Sequence, residues 1–121
     1  MPVTYTIDAA RRLVLSRAHG LVTAEDFIEH GKRLGQDPAF EPGFSQLLDC
    51  SEVVRIELST DALRGMAQFR LFGPGSRRAV VAPRDLHYGL ARMYELLRGD
   101  APERMQVFRT LEDAQLWLAE R

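Results

Sequence analysis

Strand-type and helix-type apolar patterns alternate along this chain, and that alternation restricts it to a sheet with helices packed against it. Val3, Tyr5 and Ile7 alternate with Thr4 and Thr6, a period of two that reads as a half-buried strand. Leu13 to Ala18 reads as a second strand after a short turn over Asp8 to Arg12, so the pair is an antiparallel hairpin. Gly20 then precedes a helix start, with Thr23 as N-cap and Asp26 as the capping-box acid. Ala24, Phe27, Ile28, Gly31 and Leu34 share one face of that helix, and a loop rich in proline and glycine follows from Gln36 to Gly43.

Phe44 to Asp49 reads as a buried strand, followed by a linker through Val54 and Ile56. Ser59 or Thr60 caps a second helix whose inner face is Leu63, Met66, Ala67 and Leu71, and Gly73-Pro74-Gly75 stops it. Arg78 to Ala82 is a short apolar run suited to a central parallel strand. Asp85 is the expected cap of a third helix with Leu86, Leu90, Met93, Tyr94 and Leu97 inward. Met105 to Arg109 is the last strand. Thr110 and Asp113 start a final helix with Leu111, Ala114, Trp117 and Leu118 inward. The expected order is β-β-α-β-α-β-α-β-α: an α/β fold with a mixed, mostly parallel five-stranded sheet and four helices. At 121 residues the chain is read as one domain.

Composition excludes several function classes. Sixteen Lys and Arg face seventeen Asp and Glu, a net charge of -1, without the basic excess of a nucleic-acid binder or a polybasic membrane patch. One cysteine, Cys50, permits no internal disulfide and no cysteine-rich zinc site. No leader-like or membrane-spanning apolar run is present, so the expected compartment is the cytoplasm. The histidines His19, His30 and His87 have no ligating spacing, and His30 sits among Glu29, Lys32 and Arg33 on what reads as a solvated helix face. Gly73-Pro74-Gly75-Ser76-Arg77-Arg78 runs helix, loop, strand, the reverse of a phosphate-binding loop, and there is no dinucleotide fingerprint. No cofactor is expected.

The element order at this length, with Leu47-Leu48-Asp49-Cys50-Ser51-Glu52-Val53, resembles the STAS and SpoIIAA-like fold of bacterial anti-anti-sigma factors. The stretches Tyr88 to Glu95 and Val107 to Ala114 resemble small SpoIIAA-like proteins, some of which group by fold with lipid-binding SEC14-like domains. The resemblance implies a non-enzymatic regulatory or protein-interaction module, or a small carrier of an apolar ligand such as a lipid or fatty acid. In anti-anti-sigma factors a serine at the start of the second helix is phosphorylated, which makes Ser59 and Thr60 candidate phosphosites. Here Leu58 and Asp61 depart from that motif, and Asp61 would set a fixed negative charge beside an added phosphate. Helix capping is the other reading of both hydroxyls.

Three sets of residues are candidates for function. Ligands of open α/β sheets tend to bind beyond the carboxyl ends of the strands. The expected ends carry Asp49, Cys50, Ser51, Arg84, Asp85 and Arg109. Cys50 with His19 or His87 fits only a bare nucleophile-and-base list, and an enzyme using Cys50 is the least favoured alternative. The second helix offers the third set. Phe69 and Phe72 fall outside its inner arc and, with Met66 and Leu71, suggest an exposed surface for a protein partner or a homodimer. Met66 and Phe69 with Leu90 and Met93 on the third helix would line a pocket if the protein carries a lipid-like ligand.

Overall fold

A computed structural model describes residues 1–120. Strands β1 (Val3–Asp8), β2 (Leu13–Thr23), β3 (Ser45–Glu57), β4 (Arg77–Val81) and β5 (Arg104–Phe108) alternate after the hairpin with helices α1 (Ala24–Gln36), α2 (Thr60–Gln68), α3 (Asp85–Leu97) and α4 (Leu111–Ala119). The expected element order is the observed one. The sheet order is β1-β2-β3-β4-β5, with β1 antiparallel to β2 and the remaining pairs parallel.

Because each crossover steps to the adjacent strand in the same direction, right-handed crossovers put α1, α2 and α3 on one face of the sheet. The helix α4 follows the last strand and covers the opposite face, where Ala114 and Trp117 pack on Leu47, Ala79 and Val81. An order that never reverses has no switch point, the place where open sheets usually hold ligands at their strand ends. The space available to a ligand is instead between the sheet and its three-helix layer.

Two strands are longer than their apolar runs. Gly20 does not end β2; it adopts φ 67°, at irregularities in the pairing with β3 that let the strand continue to Thr23. Likewise β3 does not stop at Asp49 but runs to Glu57, pairing with β2 alone beyond Asp49. The capping box at Thr23 and Asp26 forms as expected: each accepts a hydrogen bond from the other's backbone N–H, at 3.3 Å and 2.8 Å. At α3 the N-cap is Arg84, with no side-chain cap, and Asp85 instead pairs with Arg109.

The helix α2 is shorter than expected. It ends at Gln68, before Gly73-Pro74-Gly75, with Phe69 extended at the C-cap. Two arginines satisfy its terminal carbonyls: Arg70 donates to Ala67 O at 2.5 Å and Arg98 to Phe69 O at 3.4 Å. The chain then turns inward, and Phe72 enters a core cluster with Val14, Leu34 and Phe44. On α3, Leu90 and Tyr94 face inward as expected and His87 is buried, but Leu86 is 73 % exposed and Met93 is also exposed. Leu111 on α4 is likewise largely exposed. Gly89 faces outward in mid-helix, and a Cβ there meets nothing within 4 Å. Gly89→Ala is expected to stabilise the fold by roughly 0.5–1 kcal/mol, measured as a higher midpoint in thermal denaturation followed by circular dichroism.

Candidate functional site

Helices α1 and α3 have 13 residues each and α2 has 9. At 1.5 Å per residue the middle helix is about 6 Å shorter than its neighbours. A short helix in the middle of the layer leaves the centre of the sheet face partly uncovered. A cavity of about 470 Å³ lies there. Its floor is Leu48 and Cys50 of β3, Val80 and Ala82 where β4 ends, and Met105 of β5. Ile56 of the extended β3 segment and Leu58 just beyond it also line the cavity.

The lining residues that are also exposed are Ile28 and Lys32 on α1 and Gly65 and Phe69 at α2, so the mouth lies between those helices. Phe69 is 49 % exposed. A Cβ on Gly31 would stand 3.1 Å from its ring, so glycine is what lets the ring lie against α1 at the mouth.

One end of the cavity is polar. Ser16, Gln46 and Arg78 point into the helix-covered face near the start of β2, β3 and β4. His30 and Ser16 share a hydrogen bond of 3.0 Å, Gln46 donates to Ser16 Oγ at 3.0 Å, and Arg78 Nε donates to Gln46 Oε1 at 3.0 Å. Arg78 Nη1 continues to the Tyr94 hydroxyl at 3.3 Å, which also accepts from Arg98 Nη1 at 3.1 Å. Arg78 and Arg98 both pair with Glu103 Oε1, and the Glu103 side chain is fully buried. His30, Gln46, Arg78 and Tyr94 all line the cavity.

Burial shapes the titration of these groups. Burial, then the charges of Arg33 and Arg78, push His30 down to about 4. His30 is therefore neutral at pH 7 and buried, not on the solvated face expected from its charged neighbours. Burial raises the Tyr94 hydroxyl, but the charges and hydrogen bonds of Arg78 and Arg98 outweigh it and hold the pKa below the ordinary tyrosine value. At the other end of the cavity His87 is buried with Nδ1 unpartnered, and burial and then Arg84 lower its pKa.

The residues singled out from the sequence are placed as follows. Met66, Phe69, Leu71, Phe72 and Leu90 line the cavity, whereas Met93 is 45 % exposed and does not. Of the apolar surplus expected on the outside of α2, only Phe69 is an exposed ring, because the helix has ended before Phe72. The strand-end residues do not converge. Asp49 accepts from Ser51 N at 2.9 Å and Ser51 Oγ at 2.5 Å, a local turn within the longer β3. Arg84 donates to Val54 O at 3.3 Å, and Asp85 and Arg109 form a separate exposed pair, with Arg109 over the Tyr88 ring. Cys50 is buried and its thiol is pushed up to about 12, mainly by burial, opposite to what a reactive thiolate needs.

Ser59 is the N-cap of α2, accepting from Ala62 N at 3.0 Å, and Thr60 is the first helical residue. Ser59→Ala is expected to cost about 1 kcal/mol, read as a lower urea midpoint. No group of three or more His, Cys, Asp or Glu among the described residues is placed to hold a metal ion. No helix among them is long and apolar enough to cross a membrane.

No family model matches this chain, and no curated protein matches it. Among solved structures, it is similar to an uncharacterized protein of the DUF3478 family, with a SpoIIAA-like fold, from Shewanella loihica PV-4. The two share 20 % identity over 97 % of this chain and 94 % of that one, with a TM-score of 0.63. The chain thus has the SpoIIAA-like fold that the sequence resemblance implied.

Proposed function

We propose that this protein is a small non-enzymatic carrier that holds one apolar ligand between the sheet and the layer formed by α1, α2 and α3. The observation that carries this reading is the cavity of about 470 Å³, within the ~300–1,000 Å³ range of small-molecule sites. Protein interiors are otherwise close-packed. An apolar cleft of this size left to water keeps its lining exposed, which forgoes the favourable burial of that apolar surface. Water entering the mouth finds few polar partners on the floor of Leu48, Val80, Ala82 and Met105. A ligand with an apolar body offsets that cost.

Native mass spectrometry of protein purified from its own host tests this. The expected spectrum contains a non-covalent small-molecule adduct. Ala62 lines the cavity from α2, and Ala62→Trp should abolish the adduct by filling the space while leaving the circular dichroism spectrum unchanged. Protein with no adduct that also takes up no long-chain probe would sink the reading.

A second reading, association with another copy of the chain, is favoured by α3 rather than α2. Leu86, Gly89, Met93 and Leu96 are exposed at spacings of three, four and three residues. That spacing reads the same in both directions, so two antiparallel copies would set Leu86 against Leu96 and Met93 against the open side of Gly89. Leu96→Glu should then convert a dimer into a monomer in analytical ultracentrifugation; a wild-type monomer at high concentration would dismiss this reading.

A further inference from the structure

The cluster at the polar end of the cavity has an unbalanced charge. Arg78 and Arg98 are both permanently cationic, and Glu103 is the one described carboxylate that pairs with either. Two guanidinium groups share one acid, in a setting where the Arg98 side chain is 4 % and the Glu103 side chain 0 % exposed. Of the two, Arg78 is the one that lines the cavity. Arg78 Nε is used on Gln46, and Nη1 on Tyr94 and Glu103, while no described residue accepts from Nη2. The Tyr94 hydroxyl already accepts from both arginines, which leaves its own proton without a described acceptor. A guanidinium edge and a hydroxyl with donor capacity to spare therefore lie together at the polar end of the cavity, next to apolar walls.

We infer that the ligand is a single-chain amphiphile with one negative charge, whose anionic head is received by Arg78 and the Tyr94 hydroxyl while its chain lies over Leu48, Val80 and Ala82. This rests on the carrier reading above. The head neutralises the excess cation, and two charge-assisted hydrogen bonds hold it. Arg78 Cζ sits 4.8 Å from the Phe72 ring centroid, and this packing with the Gln46 bond fixes the guanidinium in place before a ligand arrives. Lys32 at the mouth is the competing cation, exposed and free to follow solvent.

The test is isothermal titration calorimetry at low salt with dodecanoate, methyl dodecanoate and dodecanol. Wild-type protein should bind dodecanoate at least about tenfold more tightly than either neutral compound, the usual scale for a hydrogen-bonded charge. Arg78→Met should abolish that preference and keep dodecanol affinity within about twofold, and Lys32→Gln should keep the preference. Equal wild-type affinities for the three compounds overturn the inference but leave the carrier reading standing. Binding of none of them overturns both. A preference lost in Lys32→Gln and kept in Arg78→Met overturns the assignment of the head to Arg78. The three-compound comparison needs no variant, so it decides the charge even if Arg78→Met fails to fold.

Discussion

Glu103→Gln is expected to cost about 3–5 kcal/mol, the loss seen when one partner of a buried ion pair is removed. The carboxylate is completely buried and serves both Arg78 and Arg98. Its replacement removes the counter-charge and leaves two guanidinium groups in a poorly solvated interior with only neutral acceptors, the new amide oxygen among the Tyr94 hydroxyl, Gln46 and backbone carbonyls. Urea denaturation followed by circular dichroism measures the effect. A midpoint close to that of the wild type would mean that water or rearranged side chains solvate the arginines, and would dissolve the picture of a dry charge cluster. A further consequence separates the charge from simple misfolding. An anionic amphiphile should raise the midpoint of Glu103→Gln by more than it raises that of the wild type, because the variant has two unbalanced cations.

The second large effect is a dependence of stability on pH. His30 has a folded pKa of about 4 against an ordinary value of 6.5. Its neutral form is favoured by burial and by Arg33 and Arg78; Ser16 and the edge of the Tyr5 ring also face it. Because folding lowers this pKa, the unfolded chain binds the proton more readily. Stability is then full above pH 6.5 and falls as pH drops to about 4. The two values give a loss on the order of 3 kcal/mol across that window. His87, also lowered, acts in the same direction. His30→Gln keeps a partner for Ser16 and removes the titration, so its urea midpoint should change less between pH 7 and 4. Parallel curves for the two proteins would refute the assignment to His30.

Much of the fold was legible in the sequence because it is written locally. The box at Thr23 and Asp26 depends on adjacent residues, and so does the alternation in β1. The ends of β3 and α2 are not wholly local. Glu52, Arg55 and Glu57 look like a linker, yet the neighbouring β2 supplies the pairing that makes them strand. The C-terminus of α2 is held by Arg70 close by and also by Arg98, which is far away in the chain.

The apolar part of the candidate site was partly visible as Met66, Phe69 and Leu90, but its volume depends on the length of α2 relative to its neighbours. The polar end is also patterned in the sequence. Ser16 stands between Val14 and Ala18, and Arg78 lies two residues before Val80, so a period of two turns both inward; Gln46 lies two before Leu48 on the same side. His30 lies at helical spacing between Phe27 and Leu34 on the inner stripe of α1. Reading polarity before period assigns His30 to solvent.

The placement of α4 has a practical consequence. The chain has a single tryptophan, Trp117, and it packs beside Phe108 on the face of the sheet opposite the cavity. Its intrinsic fluorescence will report whether the sheet is assembled and α4 is docked, while remaining largely blind to what occupies the other side. Cys50, the only thiol, lies in the cavity floor. The molecule thus carries two built-in reporters on opposite sides of one sheet, an indole for unfolding and a thiol in the cavity floor whose rate of labelling should fall if a ligand fills the cavity.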